Sequence, residues 1–218
     1  MGHMYGTLVH GARPGGGTLP RMGHREDLLE GAKRCLLEKG YARTTARDVV
    51  AASGTNLASI GYHYGSKEAL LQEAFLRLME AWGDSVDEPE GASGDGGAGA
   101  LPGAGPERFE IVWGRMVAAF PAHRALWRLQ TEVLARLDED EKLAEALRSW
   151  QARGREELAG LFLGGDVSGR DPEKARVAGL FFQALVAGVM SQYILDPESA
   201  PTAEDLTAGL KVLTGEGN

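Results

Sequence analysis

Gly94, Gly96 and Gly99 spell G-x-G-x-x-G, the pattern with which a strand-to-helix turn points backbone amides at a pyrophosphate. That chemistry needs a strand before the loop and a helix N-terminus after it. Here the pattern lies in a run of Gly, Ala and Pro, where chance matches are expected. The five histidines, His3, His10, His24, His63 and His123, have no second His or Cys three or four positions away, and no Glu-x-x-His pair occurs. A metal site is therefore not expected. Cys35 is the single cysteine, which excludes an internal disulfide framework and fits a reducing cytoplasm. No phosphate loop and no G-x-S-x-G elbow occurs. Glu132 is a lone carboxylate on an apolar stretch, without a positioned acid/base partner. No catalytic residue, metal or cofactor is expected, and the chain is not read as an enzyme.

The residues that remain suited to chemistry fall between positions 43 and 67, and the chemistry is recognition of a duplex. Residues 45–64 read TARDVVAASGTNLASIGYHY. Val49, Val50 and Ala52 supply a small or apolar inner face for a first helix, and Gly54 supplies a residue tolerant of positive φ at a turn. Leu57 or Ala58, with Ile60, would anchor a second helix. Thr55, Asn56, Ser59 and Tyr62 give that helix a mostly short, polar outer face able to approach base edges in the major groove. Arg43, Arg47, His63 and Lys67 flank the unit and can meet phosphates. A plain helical hairpin with solvated polar residues has the same pattern, so the alternative stays open on spacing alone.

The elements that must position these residues are helical. The chain has only three isoleucines and no sustained period-two alternation. Residues 24–39 place Leu28, Leu29, Ala32, Leu36 and Leu37 on one face, and Gly40 ends the helix. Thr45 with Asp48 resembles a capping box for a helix to about Ala52. A third helix is expected from Asn56 to Tyr62, and Ser66 caps a fourth. Further helices are predicted at 107–119, 121–137, 139–163, 172–195 and 203–214. The expected class is all-α. A disordered leader or cloning scar covers 1–20, a helix-turn-helix DNA-binding domain 21–72, and a larger helical effector-binding and dimerisation domain 73–218, with a flexible loop at 87–106.

The run GYARTTARDVVAASGTNLASIGYHYGSKEALL resembles the DNA-binding region of the TetR family of bacterial transcriptional regulators. The matching marks are Gly40-Tyr41, Thr44-Thr45, Arg47-Asp48-Val49, Ala52-Ser53-Gly54 and Tyr62 through Glu68. The close match covers roughly residues 24–75. The resemblance implies phosphate contacts from Thr44 or Thr45, His63 and Lys67, and base or groove contacts from Arg47, Asn56, Leu57 and Ser59. One departure is Gly61, where family members commonly carry a phosphate-gripping tyrosine; Tyr62 is adjacent but about 100° around the helix. Leu57 would either touch a thymine methyl or pack.

Charge divides the same way. The chain has a net charge of −8 and 31 glycines, thirteen of which lie in residues 1–20 and 91–105. Residues 21–72 hold eight basic against six acidic groups, and residues 73–218 fourteen against twenty-five. An acidic body would repel phosphate, which confines a duplex to the N-terminal unit. One short recognition helix reads few base pairs, so a homodimer on a two-fold symmetric double-stranded operator is expected. Residues 177–195 run nineteen positions without a charge. Gln183, Ser191 and Gln192 argue for a buried helix and against a membrane span, and the first twenty residues lack a signal-peptide core.

Ala184, Ala187, Gly188 and Ser191 form a small-residue face on that helix, and Leu206, Leu210 and Leu213 an apolar stripe on the last. The resemblance implies that two such helices form a four-helix bundle across the dimer axis; burial inside one subunit fits the pattern equally. Trp113, Met116, Phe120, Trp127, Trp150 and Phe181, with the polar Gln130 and Gln183, are candidates for a small-molecule pocket. The leading reading is a ligand-responsive repressor released from its operator by a small effector. The alternative is a small-molecule sensing protein whose helix-turn-helix is vestigial.

Overall fold

The computed structural model describes residues 23–87, 101–164 and 171–215. The expected leader at 1–20 lies outside them, as does most of the expected loop at 87–106. Among the described residues there are nine α-helices and no strand: α1 (His24–Lys39), α2 (Ala46–Ser53), α3 (Leu57–Tyr64), α4 (Lys67–Asp87), α5 (Pro106–Ala119), α6 (Arg124–Leu134), α7 (Glu141–Leu163), α8 (Pro172–Leu195) and α9 (Ala203–Thr214).

The N-terminal helices end where local chemistry says they should. α1 buries Leu28, Ala32, Cys35 and Leu36, whereas Leu37 has turned outward. Burial pushes the Cys35 thiol above its ordinary range, so the neutral form is favoured. Thr45 and Asp48 form the reciprocal capping box at the start of α2. Gly54 closes α2 in the left-handed conformation at φ 68°, which lets the chain turn directly into α3. Asn56 caps α3 through its side-chain oxygen, and Ser66 accepts the Ala69 amide at the start of α4.

α4 carries one continuous surface from the N-terminal unit into the body. Its Leu70, Leu71, Ala74 and Phe75 are fully buried near α1 and α3, and Met79, Trp82 and Val86 continue the stripe. The expected domain boundary at residue 72 thus falls inside an uninterrupted helix. The core is correspondingly continuous from Leu28 to Met190, with Trp113, Trp127 and Phe120 fully buried in it. Phe162 of α7 and Phe182 of α8 stack at 4.0 Å, 13° from parallel. At the near end of the predicted loop, Leu101 packs on the core and the Pro102 carbonyl accepts from the Arg108 guanidinium.

Two expectations are corrected here. The single helix predicted over 121–137 is broken into a 3-10 turn at Pro121–His123, α6, and a second 3-10 turn at Leu137–Glu139. Pro121 has no amide to donate, and His123 leaves helical geometry at ψ 14°. At the far end Asp140 instead caps α7 by accepting the Leu143 amide. The helix over 172–195 is long and apolar enough to cross a membrane, but its most apolar window is only 22% buried. It packs against α7 and α6, burying Gly179, Phe182, Val189 and Met190 and partly covering Leu185, Val186 and Tyr193, and leaves the side that carries Leu180, Ala184, Gly188 and Ser191 exposed.

Candidate DNA-binding face and effector cavity

α2 and α3 both lie on α1, α3 with its Tyr64 phenol donating to the Arg25 carbonyl. The Arg34 guanidinium donates to the Ala52 carbonyl at the end of α2, and the Lys39 ammonium pairs with Asp48. That ammonium, with the Thr45 hydroxyl and amide, holds the Asp48 carboxyl well below the usual range. The capping carboxylate is therefore ionised throughout the neutral range.

α3 buries Ser59 and Ile60 and turns Leu57, Ala58, Gly61 and Tyr62 to solvent. Leu57 is 53% exposed and Tyr62 85% exposed. The expectation that Leu57 or Ala58 anchors the helix therefore fails; Ile60 does so. Ser59 is corrected as a base contact, because its side chain is buried. Thr44 is corrected as a phosphate contact by its hydroxyl: it is 1% exposed, and the hydroxyl donates to the Gly40 and Cys35 carbonyls. Thr45 is exposed, but its hydroxyl works within the capping box. Thr55 shares a 2.7 Å hydrogen bond with Ser53.

The candidate phosphate contacts of this unit are Arg43, Arg47, Lys67 and His63. Arg47 is exposed, and Arg43 is exposed with its Nε–H on the Lys39 carbonyl. Lys67 is partly buried, near Glu68 and the Thr44 carbonyl. His63 is partly buried, its ring edge-on to Tyr62 with centroids 4.8 Å apart. Gly61 lies on the same open side as Tyr62, and a Cβ there would meet nothing within 4 Å. Gly61→Ala is expected to raise the stability of the folded chain by about 1 kcal/mol, the difference in helix propensity. An unchanged or lowered midpoint in chemical denaturation would contradict it.

The body holds a cavity of about 830 Å³ between α4, α5, α6, α7 and α8. Of the candidate pocket residues, Met116, Trp127, Gln130, Trp150 and Gln183 line it. Three expected lining residues do not: Trp113 and Phe120 are fully buried in the core beside it, and Phe181 is exposed on the outer side of α8. Sequence reasoning missed Met79, Trp82 and Val86 of α4, although their helical spacing continues the buried stripe of Leu71 and Phe75. The Trp82 and Trp127 indoles meet edge to face at 4.7 Å. Their N–H groups, and the Gln130 side-chain oxygen, are buried without a hydrogen-bond partner. Such groups are costly to leave unmade. Gln183 is committed, accepting from Arg155 and donating to the Gln151 carbonyl. Among the described residues no cluster of His, Cys, Asp or Glu could hold a metal.

Glu132, one turn beyond Trp127 and on another side of α6, has a role that spacing did not suggest. Its carboxylate accepts the backbone amides of Tyr41 at 3.0 Å and Ala42 at 2.6 Å. It thereby ties the body to the segment between α1 and α2. Gly40 has φ 82°, and a Cβ at that position would collide with the same carboxylate. Tyr41 is buried beside it, and burial together with Asp140 pushes its phenol up to about 12.

On the outer side of α8, Ala184, Ala187, Gly188 and Ser191 are all exposed, in line with exposed Val177, Leu180 and Phe181. Ala187 also borders the cavity. On α9, Leu206 and Leu210 pack against the core, and Leu213 is 83% exposed beside Val212. The predicted stripe on α9 is thus divided between the interior and solvent, because its spacing matches contact with α5.

Residues 28–74 match bacterial regulatory proteins of the tetR family. Residues of this chain are 32% identical over 117 positions to the HTH-type transcriptional repressor AcnR of Corynebacterium efficiens, covering 50% of this chain and 59% of that protein. They are 32% identical over 131 positions to AcnR of Corynebacterium glutamicum, covering 57% and 62%. The chain thus matches about three fifths of the length of these relatives. Two solved structures share the fold: Salmonella enterica GusR, with a TM-score of 0.62 at 21% identity over 89% of this chain and 97% of that one, and a TetR transcription regulator from Haloarcula marismortui, with 0.59 at 18% over 89% and 96%.

Proposed function

We propose that this chain, whose residues 28–74 match bacterial regulatory proteins of the tetR family, is a homodimeric cytoplasmic repressor that leaves a two-fold symmetric operator when a small molecule fills its cavity. The observation that carries the reading is the open face of α3, with Leu57 and Tyr62 turned outward, and with Arg43 and Arg47 of the same unit exposed. A helix that only packed would bury its large side chains. Tyr62 supplies an exposed phenol next to Gly61, about 100° around the helix, and its exposure leaves it free to reach a phosphate.

The exposed small-residue face of α8 is the surface we assign to the second copy. An apolar helix face of this length is unfavourable in water, and two copies packed face to face remove it from solvent. The ligand works by differential affinity: it binds more tightly to the arrangement in which the two recognition helices are wrongly spaced. α6 is placed to transmit this, with Trp127 and Gln130 on the cavity and Glu132 on the segment that leads into α2.

The test is titration of the intact protein against the DNA upstream of its own gene at several salt concentrations. Affinity is expected to fall steeply with salt as counterions are released. Arg47→Ala is expected to weaken binding by about tenfold and to lower the salt slope by about one per subunit. A protein that binds small molecules and shifts no DNA would establish the sensing-only reading instead.

A further inference from the structure

The recognition helix lacks the side chains that usually read guanine or adenine. Guanine is read by Arg or Lys, and adenine by a bidentate Asn or Gln amide. α3 is LASIGYHY and carries neither Arg, Lys nor Gln. Asn56, at its start, has its side-chain oxygen engaged in capping the Ser59 amide at 3.0 Å, so bidentate pairing with an adenine would have to share that oxygen with the cap. The Thr55 hydroxyl is paired with Ser53, and the Ser59 side chain is buried. His63 is partly buried with its ring against Tyr62. Beyond its Asn56 cap, what α3 turns outward is largely apolar: Leu57, Ala58 and the open backbone of Gly61, with the Tyr62 phenol beside them.

The major groove offers one apolar feature that such a surface can recognise, the C5-methyl group of thymine. Leu57 stands at the first turn of α3, the end that enters the groove in helix-turn-helix docking. Gly61 lies one turn further on the same side and adds no side chain, so the helix backbone can come close to the bases. We propose that the operator half-sites are read chiefly through thymine methyl groups, with Leu57 as the residue that determines specificity. The inference rests on the operator-binding reading above and names what that site selects.

The experiment starts with selection of a binding duplex from a random pool by the full-length protein. Each thymine in the selected half-site is then replaced by uracil, which removes only the methyl group. At one or two positions per half-site the replacement is expected to weaken wild-type binding by about fourfold, the worth of one buried methyl group. Leu57→Ala folds normally because the side chain is exposed, which a melting curve checks. It is expected to bind the thymine duplex about as weakly as wild type binds the uracil duplex, and to lose nothing further on the uracil duplex. Equal losses in wild type and Leu57→Ala would overturn the role of Leu57. Selected half-sites in which no uracil substitution matters would overturn methyl readout while leaving the regulator reading intact. A pool in which nothing is enriched would overturn both.

Discussion

Gly188→Glu is expected to leave a folded protomer that no longer dimerises and no longer holds its operator. The position is exposed in the middle of α8, and a Cβ there meets nothing within 4 Å, so the substitution adds no clash within one subunit. Glutamate also has better helix propensity than glycine. Across a two-fold axis the same residue meets itself or its near neighbours, so two carboxylates would be forced into a surface of Ala184, Ala187 and Ser191. Burying like charges without partners is strongly unfavourable. Operator affinity depends on both half-sites engaging together, and losing that linkage costs about 10²- to 10⁴-fold. Sedimentation velocity and a DNA titration check the two halves of the expectation. A dimer that survives the glutamate would move the interface away from this face of α8.

Glu132→Ala is the second substitution with a large expected effect. It leaves the Tyr41 and Ala42 amides without their carboxylate acceptor. Hydrogen bonds to charged groups contribute more than neutral ones, and their loss here is expected to destabilise the chain by about 2 kcal/mol. The more telling effect is on coupling. With the tie cut, a ligand in the cavity can still move α6, but the α1–α2 segment no longer follows. The variant is expected to bind operator within about tenfold of wild type and to release it much less when ligand is added. Gly40→Ala strains the same contact from the other side, through both its φ of 82° and the collision with Glu132. Release that is unchanged in Glu132→Ala would place the coupling elsewhere, for instance along α4.

Much of the N-terminal unit was legible in the sequence because its signals are local. A capping box needs only Thr45 and Asp48, a left-handed turn only Gly54, and an N-cap only Asn56. Each is decided within four residues of chain. The same locality explains where reading along the chain failed. Ser59, Thr44 and Leu57 were ranked by residue type, yet which of them meets solvent depends on how α3 and the segment before α2 sit against α1 and α4. Short polar side chains pack as readily as they project, so Thr44 and Ser59 went inside and the leucine went out.

The cavity shows the same limit more strongly. Trp113, Phe120 and Trp127 are all fully buried aromatics, and only Trp127 borders the open space. Aromatic content cannot tell a cavity wall from the core behind it, because both are apolar. Met79 and Trp82 of α4 carry only the helical spacing that continues the buried stripe of Leu71 and Phe75, and spacing does not say that the far end of that stripe borders open space.

The sequence by itself determined that the chain is helical, where most helices start and stop, and that its basic segment is the one suited to DNA. Those are properties of short-range hydrogen bonding, periodicity and charge. Only the tertiary structure decided that Glu132 ties the body to Tyr41 and Ala42, ninety-one and ninety residues away along the chain. It alone decided that Leu57 and Tyr62 face outward on α3 while Ser59 is buried, and that the long apolar helix α8 keeps one side uncovered. A carboxylate's partner and a leucine's exposure are set by which surfaces meet, and no local rule of spacing contains that information.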